Sequence, residues 1–215
     1  MKNKSFYIIL FVILALGLVK FVRLPKNEPV SDNKPTQISN SPQMTNKSDS
    51  IFKAPIAQAQ ERVTKKPFGI YVSPSDSPVQ PERFTGYHTG VDFETFPSEA
   101  DIDVPIYVIC SGPLLEKITA SGYGGVAVQK CEFENQSITV IYGHIKLTSV
   151  TTVVGKVLTK GEKLAILGKG YSAETGGERK HLHLGIHKDA SINILGYVQN
   201  KSELSNWINF ADYWH

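Results

Sequence analysis

A mostly β, antiparallel domain is the fold class this sequence predicts, and three observations predict it. Short apolar stretches recur between glycines and prolines, turn pairs such as Ser121-Gly122 and Lys160-Gly161 separate them, and no long segment of 3.6-residue period precedes the C-terminus. The stretches cover residues 68–72, 104–109, 114–118, 125–129, 138–142, 150–154 and 164–168, and each reads as a strand. Residues 203–207 and 211–214 read as short helical turns closing one end.

The 215 residues include two tryptophans, ten phenylalanines and nine tyrosines, ample apolar material for one domain and a tail. At the N-terminus, Lys2 and Lys4 precede an unbroken apolar run over residues 6–19, which continues past Lys20 through Phe21 and Val22 until Arg23 and Pro25 end it. As a helix, residues 6–22 would cover about 25 Å of a hydrocarbon core of about 30 Å, with Lys20 free to reach the interface. A cleaved signal peptide calls for small residues next, and the chain instead offers Lys20-Phe21-Val22-Arg23. A buried core helix calls for an amphipathic break that the run lacks. Residues 1–24 are therefore expected to form an uncleaved, single-pass transmembrane anchor. With the N-terminus inside, the rest of the chain lies on the extracytoplasmic side of a cell membrane.

Residues 25–65 turn to Ser, Asn, Pro, Gln, Thr and Lys, with few large apolar side chains to offset the entropy of ordering. They read as a flexible linker with a reach on the order of 35 Å. The domain is then expected over residues 66–215. Charge divides at the same point: residues 1–65 carry ten Lys and Arg against four Asp and Glu, and residues 66–215 thirteen against sixteen. The folded part is mildly acidic and has no basic stripe with interleaved aromatics, which argues against nucleic acid as a partner. A monomer is expected.

Chemistry concentrates in three segments. His181-Leu182-His183 places two imidazoles on one face of a strand and a leucine on the other. Gly86-Tyr87-His88-Thr89-Gly90-Val91-Asp92 sets a histidine and an aspartate four apart with a glycine midway, so that both can converge on one ion. A catalytic zinc site needs three protein ligands and an open position, which His88, Asp92 and one histidine of the later pair would supply. Tyr142-Gly143-His144 ends an apolar strand with a further imidazole. His187 and His215 read as surface residues. No helix-borne His-Glu-x-x-His occurs, so a general base and acid must come from other imidazoles.

The order His88-x-Gly90-x-Asp92, Tyr142-Gly143-His144, Val157-x-x-Lys160-Gly161-x-x-Leu164-x-x-x-Gly168 and His181-Leu182-His183 resembles the M23 family of zinc metallopeptidases, of the lysostaphin and LytM type. The resemblance implies a compact antiparallel sheet with a groove over it, one Zn2+, and hydrolysis of peptide bonds in the stem or cross-bridge of bacterial peptidoglycan. It further implies that His88, Asp92 and His183 ligate the metal while His181 and His144 flank water and substrate, with the division of acid and base between those two left open. The charged insert Glu178-Arg179-Lys180 before His181 and the Ile145-Lys146 pair after His144 depart from the family's pattern and bear on substrate preference. The rival from another class is a non-catalytic, wall-binding or hydrolase-activating module on the same fold. All five residues are present, which favours the enzyme.

Two cysteines remain. Cys110 and Cys131 flank a hairpin expected to turn near Ala120 or Ser121, so a cross-strand disulfide and a pair of unlinked thiols are both compatible with the sequence. Neither reads as a zinc ligand, since no Cys-x-x-Cys or neighbouring histidine accompanies them.

Overall fold

The computed structural model describes residues 51–213. The expected anchor and most of the expected linker lie outside the described residues. The membrane placement drawn from the apolar run is corrected on one finding: among the described residues, no helix is long and apolar enough to cross a membrane.

Eleven strands are described: β1 (Tyr71–Val72), β2 (Gly86–His88), β3 (Gly90–Glu94), β4 (Pro105–Tyr107), β5 (Gly112–Ala120), β6 (Gly124–Phe133), β7 (Gln136–Gly143), β8 (Val157–Leu158), β9 (Lys163–Ile166), β10 (His181–His187) and β11 (Tyr197–Val198). The main sheet has six strands in the order β3-β10-β7-β6-β5-β8, with a three-stranded sheet β1-β2-β11 and a pair β4-β9 beside it. Every pairing is antiparallel. The helical content is short 3-10 turns, including Lys201–Asn206 and Phe210–Asp212 near the C-terminus.

The period of two divides the main sheet into two faces. Val91 and Phe93 of β3, Leu182, Leu184 and Ile186 of β10, Val140 and Tyr142 of β7 and Ala127 of β6 all pack into the large core. Each fully buried aliphatic or aromatic side chain there contributes about 1.5–3 kcal/mol relative to exposure. The alternate residues of β3 and β10, namely Asp92, Glu94, His181 and His183, therefore leave from the opposite face. That face also carries a smaller cluster of Tyr123, Val126, Val128, Ile141 and Trp207.

Residues 51–65, assigned to the linker by composition, are packed chain. Phe52 stacks on Phe133 and Phe210 at ring-centroid distances of 5.4 and 5.9 Å. Arg62, 1% exposed, forks onto Glu99 at 2.6 and 2.8 Å and lies 4.0 Å from the centre of the Phe96 ring. A polar average over forty residues hides one aromatic anchor and one fully partnered arginine.

Residues 150–154 form no strand. Val150 is buried, but Val153 and Val154 are exposed at a turn where Gly155 has φ 88°, and the paired segment is β8, three residues on. His187, expected at the surface, is buried against Trp207 with ring centroids 4.9 Å apart. His215 lies outside the described residues. Cys110 and Cys131 are joined as a disulfide, Cα to Cα 6.1 Å, which ties the bend before β5 to β6.

Candidate metal centre

Register brings the site together. In the β3–β10 pair, His183 faces Asp92 and His181 faces Glu94, and in the β10–β7 pair His183 faces Gly143. Directly opposed residues of an antiparallel pair hold their Cβ atoms about 5 Å apart, so the His183 ring and the Asp92 carboxylate meet above the sheet. His88 ends β2, two residues before β3 begins, and arrives over the same point. Gly90 between them is a matter of space: a Cβ there would lie 2.7 Å from the His183 ring and 2.6 Å from the Leu184 carbonyl oxygen.

Three donor atoms converge. His88 Nε2 lies 3.0 Å from His183 Nδ1, and each lies 3.2 Å from Asp92 Oδ1. A tetrahedral ion with bonds of about 2.0–2.1 Å has ligand-to-ligand edges of about 3.3 Å, so the triangle has the size of one face of a zinc coordination sphere. Protonation agrees. His88 Nδ1 lies 3.2 Å from the Pro67 carbonyl oxygen, which can only accept, so the hydrogen sits on Nδ1 and Nε2 offers a lone pair. Burial is the largest effect on His183 and pushes its pKa down to about 4, so the ring is neutral at pH 7. Burial works against the Asp92 carboxylate, yet the neighbouring His181 and His88 hold its pKa well below the usual carboxylate range. Two imidazoles and one carboxylate are a donor set suited to Zn2+.

The other two expected residues stand beside this triangle. His181 Nδ1 lies 2.9 Å from the Arg179 carbonyl oxygen and His144 Nδ1 3.0 Å from that of Thr175, so both rings carry the hydrogen on Nδ1 when neutral and turn Nε2 away from the backbone. The rings are 4.2 Å apart, centroid to centroid. Burial, the largest cause, and the neighbouring His181 lower the His144 pKa well below the ordinary value. His144 adopts φ 61°, a left-handed conformation that costs a non-glycine residue of order 1 kcal/mol or more and persists where surrounding contacts impose it. Gly143 before it leaves room for Tyr123, whose ring would lie 2.5 Å from a Cβ at that position.

A groove of about 440 Å³ opens over these residues and is lined also by Lys66, Phe84, Tyr123, Arg179, Leu195 and Tyr197. Several of these were not singled out from sequence. Tyr123 Oη is buried with no hydrogen-bond partner among the described residues. Tyr197 Oη accepts from Lys66 Nζ at 3.0 Å, and that ammonium is held by Glu82 in a buried ion pair. Burial first, and the Asp92 charge second, raise the pKa of both phenols, so both stay protonated. Arg179 donates to Asp92 Oδ2 at 2.9 Å and to Glu94. A tyrosine far away in sequence carries no spacing signal: the β5–β6 turn brings Tyr123 here and the pairing of β11 with β2 brings Tyr197.

No family model matches the sequence, and no curated protein sequence does. Solved structures do. Csd3 of Helicobacter pylori is similar at 21% identity over 70% of this chain, TM-score 0.43; the chain spans 35% of that protein's length. A zinc-containing peptidase from Vibrio cholerae is similar at 18% identity, over 68% of this chain and 41% of the other, TM-score 0.42. The SpoIIQ–SpoIIIAH pore-forming complex contributes a match at 13% identity, over 77% of this chain and 91% of the other, TM-score 0.48.

Proposed function

We propose that this chain is a zinc-dependent endopeptidase that hydrolyses peptide bonds in bacterial peptidoglycan, in the stem peptide or cross-bridge. The observation that carries the reading is the convergence of His88 Nε2, His183 Nδ1 and Asp92 Oδ1 within 3.2 Å of one another, beside two further imidazoles in one groove. Zinc held by these three residues supplies Lewis-acid activation of water and of the scissile carbonyl.

The chain's own residues supply the rest. With Nδ1 committed to a backbone carbonyl in each ring, His181 and His144 have Nε2 for proton transfer, and that of His181 lies 3.3 Å from Asp92 Oδ2. One of them takes a proton from the attacking water as the C–O bond forms, and that proton passes to the amine as the C–N bond breaks. Lys66 has no lone pair and must be the donor in its bond to Tyr197, so the phenol hydrogen of Tyr197 is free for an acceptor in the groove. That hydrogen and the unpartnered Tyr123 O–H are suited to the charge that develops on the substrate oxygen. The substrate class rests on the motif set, whose order and spacing resemble the M23 peptidases.

The experiment is release of soluble peptides from purified peptidoglycan by the zinc-loaded chain, with His181→Ala alongside. Cleavage by the wild type alone supports the enzyme. Stoichiometric zinc without cleavage on several wall types would replace it with the non-catalytic, wall-binding or activating reading.

A further inference from the structure

We infer that Arg179 is a positioning residue for the metal centre: anchored on Glu94, its guanidinium holds Asp92 Oδ2 and thereby presents Oδ1 alone to the His88 and His183 nitrogens. The inference rests on the ligand assignment above and goes beyond it. The geometry is a short chain of charge-assisted bonds. Arg179 Nε donates to both Glu94 oxygens, at 3.0 and 2.9 Å, and Nη2 bridges Glu94 Oε1 at 2.5 Å and Asp92 Oδ2 at 2.9 Å. The side chains are nearly dry, with 8% of Arg179, 11% of Glu94 and 3% of Asp92 exposed.

The topology explains how three residues from two strands meet. Glu94 lies two positions beyond Asp92 on β3 and so shares its face, and it is paired in register with His181. Arg179 precedes His181 by two residues, which brings its side chain over the Glu94 end of that face, while its backbone carbonyl accepts the His181 Nδ1 hydrogen. One residue thus touches both the carboxylate of the metal triangle and the imidazole beside it.

Electrostatics give the side chain a specific task. A carboxylate is free to swing between one-oxygen and two-oxygen ligation, and Glu94, whose other ion-pair partner is the half-exposed Lys65 at 3.6 Å, is a second carboxylate on the same face. Arg179 engages both: its planar fork is bidentate on Glu94, and Nη2, with His181 Nε2 3.3 Å away on the same oxygen, holds Asp92 Oδ2. Lysine, a point charge with no fork, reproduces the charge without the geometry. Partners that orient a ligand in this way typically contribute 10- to 100-fold in metal affinity.

The test uses the full chain with Arg179→Lys, Arg179→Ala and Glu94→Gln, reading zinc affinity by chelator competition, the absorption spectrum of the cobalt-substituted protein, and the melting temperature without metal. We expect Arg179→Ala to bind zinc 10- to 100-fold more weakly with an altered cobalt spectrum, Arg179→Lys to fall in between, and Glu94→Gln to shift both readouts in the same direction by less. Should Arg179→Ala fail to fold, the lysine and glutamine variants carry the same comparison. Wild-type affinity and spectrum in Arg179→Lys and Glu94→Gln would overturn the inference and leave a purely structural ion pair. Absence of zinc binding by the wild type would remove the ligand assignment and this role together, a result distinct from unchanged variants.

Discussion

His144 and His181 face each other ring to ring, 4.2 Å between centroids, and each spends its Nδ1 hydrogen on a backbone carbonyl, Thr175 for one and Arg179 for the other. Two imidazoles are thereby held in matched orientation beside the triangle of His88, Asp92 and His183. His181→Ala and His144→Ala are expected to keep stoichiometric zinc while losing about 10²- to 10⁴-fold in turnover on peptidoglycan, the usual share of general acid or base catalysis. His183→Ala should lose the metal. Zinc analysis of the purified variants separates the two classes, and retention of zinc by His183→Ala would overturn the ligand assignment.

Gly90 sits where any side chain would press on the His183 ring and the Leu184 carbonyl, at 2.7 and 2.6 Å from an added Cβ. Backbone cannot retreat within a paired strand, so the ring must. Gly90→Ala is expected to weaken zinc binding by at least about 10-fold, the scale on which ligand orientation acts. Chelator competition measures it, and wild-type affinity would show that the ring has room to adjust.

Behind Tyr197, Lys66 and Glu82 form an ion pair with side chains 3% and 2% exposed. Burial raises the Glu82 pKa, but the bonds from Lys66, the Phe84 N–H and Ser77 outweigh it and hold the carboxyl below its ordinary 4.5. A depressed folded-state pKa adds stability above the unfolded value, and that share is lost as pH falls through the folded one. Glu82→Gln, which leaves Lys66 buried without a counter-charge, should cost about 3 kcal/mol at pH 7. The gap to wild type should narrow as the pH drops below 4.5. Thermal melts of both proteins from pH 7 to 3 test this; a constant gap would mean that Glu82 acts through shape alone.

The Cys110–Cys131 bridge spans a sequence separation of 21 residues. A loop of that size is worth about 3 kcal/mol in the chain-entropy account. A double serine variant, or wild type in reductant, should melt about 6–12 °C lower, the shift such a loss produces in a domain of this size. Identical melting with and without reductant would assign the bridge no thermodynamic role.

The β class, most strands and the four histidines and one aspartate that converge in the candidate site are legible because each rests on local rules. Alternation marks a strand with one buried face, and His-x-His on a strand needs no partner to put both rings on one side. The errors share a cause. Average composition makes residues 51–65 a linker, although Phe52 and Arg62 are buried by partners at 96, 99, 133 and 210. β-branched content makes residues 150–154 a strand, although the Gly155 turn leaves Val153 and Val154 exposed. Nothing near His187 in sequence announces Trp207, the ring that buries it.

By itself the sequence determined the residue types able to bind a metal and move protons, and the faces of the strands that carry them. The tertiary structure decided which of those atoms meet. Strand register, summed over many weak pairings, sets His183 opposite Asp92 rather than a residue to either side, since a slip of one residue would turn every side chain to the other face. The same register brought in Arg179 and Glu94, and the β11–β2 pairing and the β5–β6 turn brought in Tyr197 and Tyr123. Their roles depend on contacts between distant segments, and no local pattern encodes such contacts.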